Sequence, residues 1–221
     1  MIEKGSKMKF STYLFDFDGT LVDSMPTFGA VMLRILDEEG VEYPKDIIKT
    51  VTPLGYLGTA KYFIGNFGIK ASTSELLSRM NSYAYKEYAE SIPAKKSVIE
   101  TLTALKNSGA DLNILTASPH SVLDVCLGRL GIMELFTNIW SCDDFGTSKS
   151  DPEIYKMAAD KLGKPVNEIL FLDDNLGADK TAKLAGMAVC GVFDESSADC
   201  KEQIAAAADY YIHDFSELIE I

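Results

Sequence analysis

The sequence predicts an α/β fold, in which a parallel sheet with helices on both faces receives an inserted α-helical subdomain. Two observations support this prediction. Short apolar segments that are typical of buried strands alternate with segments of helical periodicity, and this alternation implies right-handed crossovers between parallel strands. One connection is far longer than the others and contains only helical patterns, which indicates an inserted subdomain and not a loop.

The strand candidates are apolar runs that end in polar or turn-forming residues. They lie at residues 11–17, 111–116, 138–141, 169–173, 188–193 and, more weakly, 210–213. Between them, apolar residues recur at helical spacing, as at Val98, Ile99, Leu102 and Leu105 and again at Ile154, Met157, Ala158 and Leu162. In a parallel sheet of this kind, ligands bind at the carboxyl ends of the strands.

The long connection divides the predicted fold into a core, residues 1–23 and 93–221, and a helical cap, residues 24–92. One apolar helix face in the cap comprises Met25, Phe28, Met32, Ile35 and Leu36, and a second helix is predicted over residues 74–90. Residues 91–94 are interpreted as the return hinge. We expect Tyr83, Tyr85 and Tyr88 to pack against the other cap helices.

Composition restricts the partners that the protein can have. A formal net charge of −12 argues against nucleic acid and anionic membranes, whereas a phosphorylated metabolite stays compatible with it if a divalent cation inverts the local field. The four cysteines form no Cys-x-x-Cys pair and only two histidines are present, so no zinc site is expected. The oligomeric state stays open between monomer and dimer.

The start of the chain shows no secretory pattern. Residues 1–10 lack the apolar stretch of a signal peptide, and no apolar run is long enough to cross a bilayer. We therefore expect a cytoplasmic protein. Met8 is a candidate native start, in which case residues 1–7 are a dispensable extension.

Two carboxylates follow the first strand candidate, in Asp16-Phe17-Asp18-Gly19-Thr20. If the strand continues through Asp18, both side chains share a direction, and Gly19 permits a sharp exit. A second acidic pair, Asp173 and Asp174, follows the apolar strand candidate at 169–173. Four carboxylates at one edge of a sheet require a hard cation with oxygen ligands, and the prediction is Mg²⁺.

Two further segments place anion-binding groups at the same edge. Thr116 ends the strand candidate at 111–116, where its hydroxyl and the following backbone N–H groups can hold an anion. Lys149 comes just before a helix whose start is marked by Ser150 or Asp151 as N-cap and by Pro152 in the first turn. This position directs the lysine toward the carboxyl-end crevice.

Together these segments resemble the haloacid dehalogenase superfamily of phosphotransferases, whose four motifs occur in order as Asp16-Phe17-Asp18-Gly19-Thr20, Thr116, Lys149 and Asp173-Asp174. The insert after the first strand resembles the helical cap of the phosphoglycolate phosphatase and β-phosphoglucomutase branch. The resemblance implies a Rossmann-like core and a phosphatase for a small phosphorylated metabolite. Two departures are Ser150, where that branch often has Pro, and Ala178, where many phosphatases carry another acid.

The resemblance also assigns roles. Asp16 is the nucleophile that forms an aspartyl phosphate, and Asp18 protonates the leaving alcohol and then activates water. Mg²⁺ is held by Asp16, the Asp18 carbonyl and Asp174, with Asp173 beside or behind it. The groups that stabilise the transferring phosphoryl oxygens are Thr116, the Ala117 amide and Lys149.

Several side chains keep two interpretations. Asn175 either holds a metal-bound water or forms a turn at the strand end. His120 either touches substrate or is a solvated residue at a helix start. In the cap, Lys61, Tyr56 and Asn66 either face the cleft or serve as ordinary surface and packing residues.

Two other functions stay open at this stage. A sugar phosphomutase uses the same aspartyl phosphate and returns the phosphoryl group to a sugar hydroxyl, so the core motifs do not separate it from a phosphatase. A phosphoacceptor signalling module also combines Asp, Mg²⁺, Thr and Lys, although the helical insert argues against it. Asp18 argues against true dehalogenase chemistry, because a halide leaving group needs no acid.

Overall fold

A computed structural model describes residues 9–221, except for the side chain of Pro53. The proposed start at Met8 and the proposed extension 1–7 lie outside the described residues. Within the described part of the chain, no helix is long and apolar enough to cross a membrane.

The described chain alternates strands and helices after a long helical segment. In chain order the elements are β1 (Thr12–Phe15), α1 (Met25–Glu38), α2 (Ile47–Val51), α3 (Gly55–Phe67), α4 (Thr73–Glu90), α5 (Val98–Asn107), β2 (Asp111–Thr116), α6 (His120–Leu130), β3 (Asn138–Ser141), α7 (Glu153–Leu162), β4 (Ile169–Asp173), α8 (Leu176–Ala185), β5 (Ala188–Val192), α9 (Lys201–Ala207) and β6 (Tyr210–Ile212). Short 3₁₀ turns connect several of them, including one at Cys142–Phe145.

The strands form one six-stranded parallel sheet in the order β3-β2-β1-β4-β5-β6. The predicted α/β class with a Rossmann-like parallel sheet is confirmed. Because β1 pairs with both β2 and β4, it occupies the centre of the sheet, and its four residues are all buried. Chain order changes direction around β1, which makes the carboxyl ends of β1, β2 and β4 the expected ligand-binding edge.

Three strand predictions were too long: β1 at both ends, and β5 and β6 by one residue at the carboxyl end, where β6 ends at Ile212 and not at residue 213. β1 ends at Phe15 and not at residue 17, since a tight turn begins at Phe17, whose carbonyl accepts hydrogen bonds from the amides of Leu21 (2.8 Å) and Val22 (3.0 Å). β5 ends at Val192, one residue short of the prediction. Two helix positions also differ from the expected apolar faces, because Ile99 and Met157 are exposed.

The chain divides into two compact units. The first contains residues up to Asp23 together with Pro93–Ile221 and holds the sheet, and the second contains Ser24–Ile92. The second unit is helical and has its own apolar core, in which buried residues of α1, including Met32, Ile35 and Leu36, meet Phe63 of α3 and Met80 of α4.

The tyrosines of α4 behave differently from one another. Tyr83 and Tyr88 pack against the apolar core of the helical unit, as the sequence predicts. Tyr85 is exposed, because the helical step of about 100° per residue places it on the side of α4 opposite the face that packs into this apolar core.

Candidate active site

Three carboxylates meet at the carboxyl ends of β1 and β4. Phe15 lies opposite Leu172 in the parallel register, and the amide of Asp16 donates to the Leu172 carbonyl (2.8 Å), so the chain stays paired one residue beyond β1. Asp16, Asp173 and Asp174 are buried and each places one carboxylate oxygen within 4.8 Å of the others. The register of two central strands therefore builds the cluster.

The cation in this cluster is Lys149, which lies in the segment before α7. Its ammonium group donates to the carboxylates of Asp16 and of Asp173, the latter at 2.7 Å. Burial alone would lower the pKa of Lys149, but the two carboxylates raise it well above its ordinary value. The backbone of Lys149 is held by Tyr155, whose hydroxyl lies 3.1 Å from the Lys149 carbonyl.

The cluster carries more negative than positive charge. Burial raises the pKa of Asp16 to about 7, an effect that Lys149 opposes and that Asp173 and Asp18 increase. Burial and the neighbouring Asp173 also raise the pKa of Asp174 well above its ordinary value. If all three were ionised, the carboxylates would exceed the single ammonium by two negative charges, and the raised pKa values of Asp16 and Asp174 reflect burial together with this surplus. Buried oxygen donors with this surplus fit a hard divalent cation.

Asp174 is fixed by the turn that follows β1. The buried hydroxyl of Thr20 donates to Asp174 Oδ1 (3.0 Å). Gly19 has φ +78°, and a Cβ atom there would lie 2.6 Å from Asp174 Oδ2. Glycine is therefore required at this position both by the backbone and by the close approach of the carboxylate.

The carboxylate of Asp18 makes a different contact from the three clustered acids. Because β1 ends before Asp18, the continuous strand on which Asp16 and Asp18 would share a direction does not form. The hydroxyl of Ser118, beyond the end of β2, donates to Asp18 Oδ2. Asp18 is partly exposed, unlike the three clustered acids, and its charge contributes to the raised pKa of Asp16.

The carboxyl end of β2 contributes Thr116 and Ala117. Thr116 is buried at the end of the strand, and its hydroxyl oxygen accepts a hydrogen bond from the Ser118 amide (3.1 Å). Ala117 is exposed. Thr116 ends the strand that pairs with β1 and Ala117 follows it, so they lie at the same edge of the sheet as Asp16.

His120 and Asn175 both have partners within the protein. The ring nitrogens of His120 lie 3.0 Å from Asp124 and 2.9 Å from Asp144, and these carboxylates raise the pKa of the imidazole. The Asn175 side chain caps α8, because Oδ1 accepts hydrogen bonds from the amides of Gly177 (2.9 Å) and Ala178 (3.2 Å). A structural role therefore accounts for each.

The cap candidates also differ in their surroundings. Tyr56 stacks on Phe28 with the ring centroids 4.6 Å apart, which makes it a packing residue. Lys61 and Asn66 are exposed on α3, and the Asn66 amide donates to the Tyr62 carbonyl (2.9 Å).

Sequence reasoning did not assign roles to several residues that support the site. Thr20 and Ser118 stand directly beside the recognised motifs, so a close inspection of hydroxyl groups in those segments could have found them. Tyr155 and Lys95 reach the site from other elements, and no local pattern distinguishes them from ordinary helix and surface residues.

Comparison with known proteins places the chain in a family. The sequence model of the haloacid dehalogenase-like hydrolases matches residues 13–192. The pyrophosphatase PpaX of Bacillus velezensis is 28% identical over 214 residues, covering 96% of each chain. A phosphorylated carbohydrates phosphatase of Thermotoga maritima is 23% identical and covers 79% of this chain and 81% of its own.

A solved structure has the same fold. The YfnB protein of Bacillus subtilis, solved bound to magnesium, has a TM-score of 0.79 at 19% identity and covers 96% of this chain and 97% of its own. The match of the family over most of the chain agrees with the four motifs and with the parallel sheet that carries them. The chain therefore belongs to the haloacid dehalogenase-like hydrolases and is an enzyme.

Proposed function

We propose that the protein is a Mg²⁺-dependent phosphatase that hydrolyses a small phosphorylated metabolite through an aspartyl phosphate on Asp16. The observation that carries this proposal is the contact of Asp16 with Lys149 inside a buried acidic cluster at the carboxyl end of the central strand. Two relatives bear the names of a pyrophosphatase and a phosphatase, which supports phosphate chemistry.

The donor set supports Mg²⁺ as the cofactor. The uncompensated charge of the three clustered carboxylates and their oxygen ligands suit a hard divalent cation, and YfnB was solved with magnesium. The proposed ligands are Asp16, the Asp18 carbonyl and Asp174, with Asp173 beside or behind the ion. When bound, the ion neutralises the charge that accumulates as a phosphate ester approaches a carboxylate.

The proposed reaction uses the chain's own groups in two steps. A carboxylate oxygen of Asp16 attacks phosphorus and the bond from phosphorus to the ester oxygen breaks, while Asp18 gives a proton to the departing alkoxide. Asp18 then removes a proton from water, whose oxygen attacks the phosphorus of the aspartyl phosphate; the bond from phosphorus to the Asp16 oxygen breaks, so that inorganic phosphate leaves and the Asp16 carboxylate is regenerated. In both steps the donors to the phosphoryl oxygens are the Lys149 ammonium, the Thr116 hydroxyl and the Ala117 amide.

The first test is hydrolysis of a panel of phosphorylated metabolites, with phosphate release measured in Mg²⁺ and in excess chelator. We expect activity on at least one small phosphate ester, its loss on chelation, and its loss in Asp16→Asn. Asp18→Asn is expected to fail differently, because it keeps the nucleophile and impairs leaving-group protonation and breakdown of the intermediate. Wild-type single-turnover hydrolysis by Asp16→Asn would rule out covalent catalysis through this residue.

The same panel separates the phosphatase from the alternative sugar phosphomutase. Incubation with β-glucose 1-phosphate yields inorganic phosphate in the first case and an isomeric sugar phosphate in the second. We keep the cytoplasmic location as a prediction, supported by the four cysteines being free thiols.

A further inference from the structure

We infer that Lys95 is a positioning residue for Asp18, which it holds in place by fixing the turn that follows the nucleophile strand. Lys95 lies outside the four motifs, between the return of the chain at Pro93 and the start of α5. This inference rests on the proposed phosphatase function, because it concerns the proton donor of that reaction.

The ammonium group of Lys95 makes three short polar contacts inside the sheet-containing unit. It donates to the carbonyls of Gly19 (2.6 Å) and Phe193 (2.6 Å) and to Asp194 Oδ2 (2.9 Å). An ammonium has three N–H donors, so all of them are used. The side chains of Lys95 and Asp194 are 17% and 5% exposed, which makes this a mostly buried ion pair and not a surface one.

The carbonyl that Lys95 holds belongs to the residue directly after Asp18. The turn is otherwise closed by the Phe17 carbonyl and by the Gly19 amide, which donates to the Val22 carbonyl (2.9 Å). The Lys95 amide donates to the Leu21 carbonyl (3.0 Å), so the backbone and the side chain of the same residue hold opposite sides of the turn. Moving Gly19 would move Asp18 with it.

Asp194 accepts a hydrogen bond from the Lys95 ammonium group and fixes its position. The Oδ1 atom of Asp194 accepts hydrogen bonds from the Ser196 amide (2.9 Å) and hydroxyl (2.6 Å), while Oδ2 takes the ammonium. Asp194 follows β5, which pairs with β4, the strand that carries Asp173 and Asp174. Lys95 therefore links the turn that carries Asp18 to the segment that follows β5.

The test exploits leaving-group chemistry. A p-nitrophenolate leaves without protonation, whereas an alkoxide requires the acid, so a displaced Asp18 selectively slows formation of the aspartyl phosphate from an alkyl phosphate. Breakdown of the aspartyl phosphate, which also uses Asp18, is common to both substrates, so the comparison uses single-turnover rates of leaving-group release and not kcat. For Lys95→Met in saturating Mg²⁺, we expect this rate for the best alkyl phosphate to fall on the order of 10-fold or more and that for p-nitrophenyl phosphate to change less than about 3-fold.

Two further variants separate positioning from loss of a buried charge pair. Lys95→Met leaves Asp194 buried without its cation, and Lys95→Met combined with Asp194→Asn removes both charges. The double variant is expected to recover thermal stability while keeping the selective loss on alkyl phosphates. Asp194→Asn alone keeps the ammonium on the Gly19 carbonyl, so its ratio of alkyl to aryl rates is expected to stay near the wild-type ratio.

Hydrogen exchange gives a readout that is independent of turnover. Amides of the turn, such as Leu21 and Val22, are expected to exchange faster in Lys95→Met than in the wild type. Lys96→Met is the matched control, because Lys96 is 88% exposed and pairs with Asp214 (2.8 Å); we expect it to leave exchange in the turn and both rates unchanged.

The outcomes are distinguishable. Equal losses on alkyl and aryl phosphates in the double variant, or an unchanged ratio in every Lys95 variant of an active enzyme, would overturn the positioning role and leave the proposed function intact. A wild-type protein that hydrolyses no phosphate ester would overturn both.

Discussion

At the scale of single residues, the structure contains a buried acid that the proposed reaction does not use. Asp179, in the first turn of α8, is fully buried, and neither of its carboxylate oxygens has a hydrogen-bond partner. Burial raises the pKa of Asp179 to about 9, and Asp173 and Asp174 add to the effect. Asp179 is therefore a buried carboxyl group beside the acidic cluster that takes part in no hydrogen bond within the described chain.

Because Asp179 is protonated in the folded protein, we expect it to lower the free energy of unfolding as pH rises. Since its folded pKa of about 9 lies above the ordinary value of 3.8, the folded state keeps a proton that the unfolded state loses. The resulting loss in the free energy of unfolding is absent below pH 4, grows as pH rises, and is complete above pH 9. Asp179→Asn carries no such proton, so its free energy of unfolding relative to wild type is expected to rise by at least about 1 kcal/mol between pH 5 and 8.5.

The measurement is urea unfolding of both proteins in chelator across this pH range. Other groups that act on Asp179, namely Asp173, Asp174, Lys149 and Asp16, are present in both proteins and largely cancel in the difference. Asp160→Asn, which changes an exposed acid on α7, is the control and should give a constant offset. A pH-independent difference for Asp179→Asn would show that its carboxyl is ionised or solvated in the folded protein.

The sequence could indicate which residue types gather at the site, but not their partners. The acidic pairs and Lys149 were recognisable because each stands at the end of an apolar run or the start of a helix. The contacts of Ser118 with Asp18 and of Lys95 with Gly19 join residues 100 and 76 positions apart. Such contacts leave no periodic signal along the chain.

At the scale of elements, the boundaries of the site depend on how β4 ends and α8 begins. The Asp173 carboxylate accepts a hydrogen bond from the Asn175 amide (2.8 Å), and the Asn175 side chain caps the helix. Asn175 thus turns the chain so that Asp173 and Asp174 remain at the sheet edge. The interpretation of Asn175 as a turn-forming residue accounts for these contacts without a metal-bound water.

The N-terminal capping of α8 by Asn175 predicts an effect on stability. Asn175→Ala removes the acceptor of two helix N-terminal amides and is expected to lower the free energy of unfolding by about 1 kcal/mol. Asn175→Ser keeps a capping oxygen and should retain most of the wild-type stability. Both are measured by urea unfolding in chelator, with Mg²⁺ affinity measured by calorimetry on the folded proteins.

The two interpretations of Asn175 give opposite patterns. A helix cap changes stability and leaves Mg²⁺ affinity nearly unchanged. If Asn175→Ala instead weakened Mg²⁺ binding severalfold with no loss of stability, the metal-bound water would become the better account of this side chain.

At the scale of the whole molecule, the class of the fold was predictable and the order of its strands was not. Alternating apolar runs and helical periodicity specify parallel strands joined by crossovers, and five of the six strand spans match the prediction or lie within one residue of it at each end. The order β3-β2-β1-β4-β5-β6 depends on which strands pair across long connections, for which the sequence carries no local signal.

The helical unit gives rise to the last prediction, which concerns substrate choice. Its residues 24–92 leave the sheet-containing unit just after the turn that carries Asp18 and return at Pro93, where Val22 and Ala94 form a β-bridge. The proposed chemistry uses only residues of the sheet-containing unit. We therefore expect the helical unit to determine which phosphate esters are accepted, because the connection begins and ends at the edge of the sheet where the phosphoryl group would react.

Substitution of exposed residues on α3 tests whether the helical unit determines substrate choice while the sheet-containing unit carries the chemistry. Lys61→Ala is the first variant, and a scan of the other exposed positions of residues 55–67 follows; none of these changes removes a residue of the unit's apolar core. Relative kcat/KM values across the ester panel are expected to change by about 10-fold for at least one variant, equivalent to about 1.4 kcal/mol of transition-state binding, while Mg²⁺ affinity stays within about 2-fold.

The matched control is Lys164→Ala, an exposed lysine between α7 and β4 that precedes the amino end of its strand. It removes the same charge at the opposite edge of the sheet from Asp16, so substrate ratios and Mg²⁺ affinity should both remain at wild-type values. If the α3 scan left every ratio of kcat/KM values between esters unchanged, the exposed side chains of α3 would have no role in substrate specificity. If the ratios changed only together with Mg²⁺ affinity, the variants would be acting on the acidic cluster, and the separation of chemistry from substrate choice would be wrong.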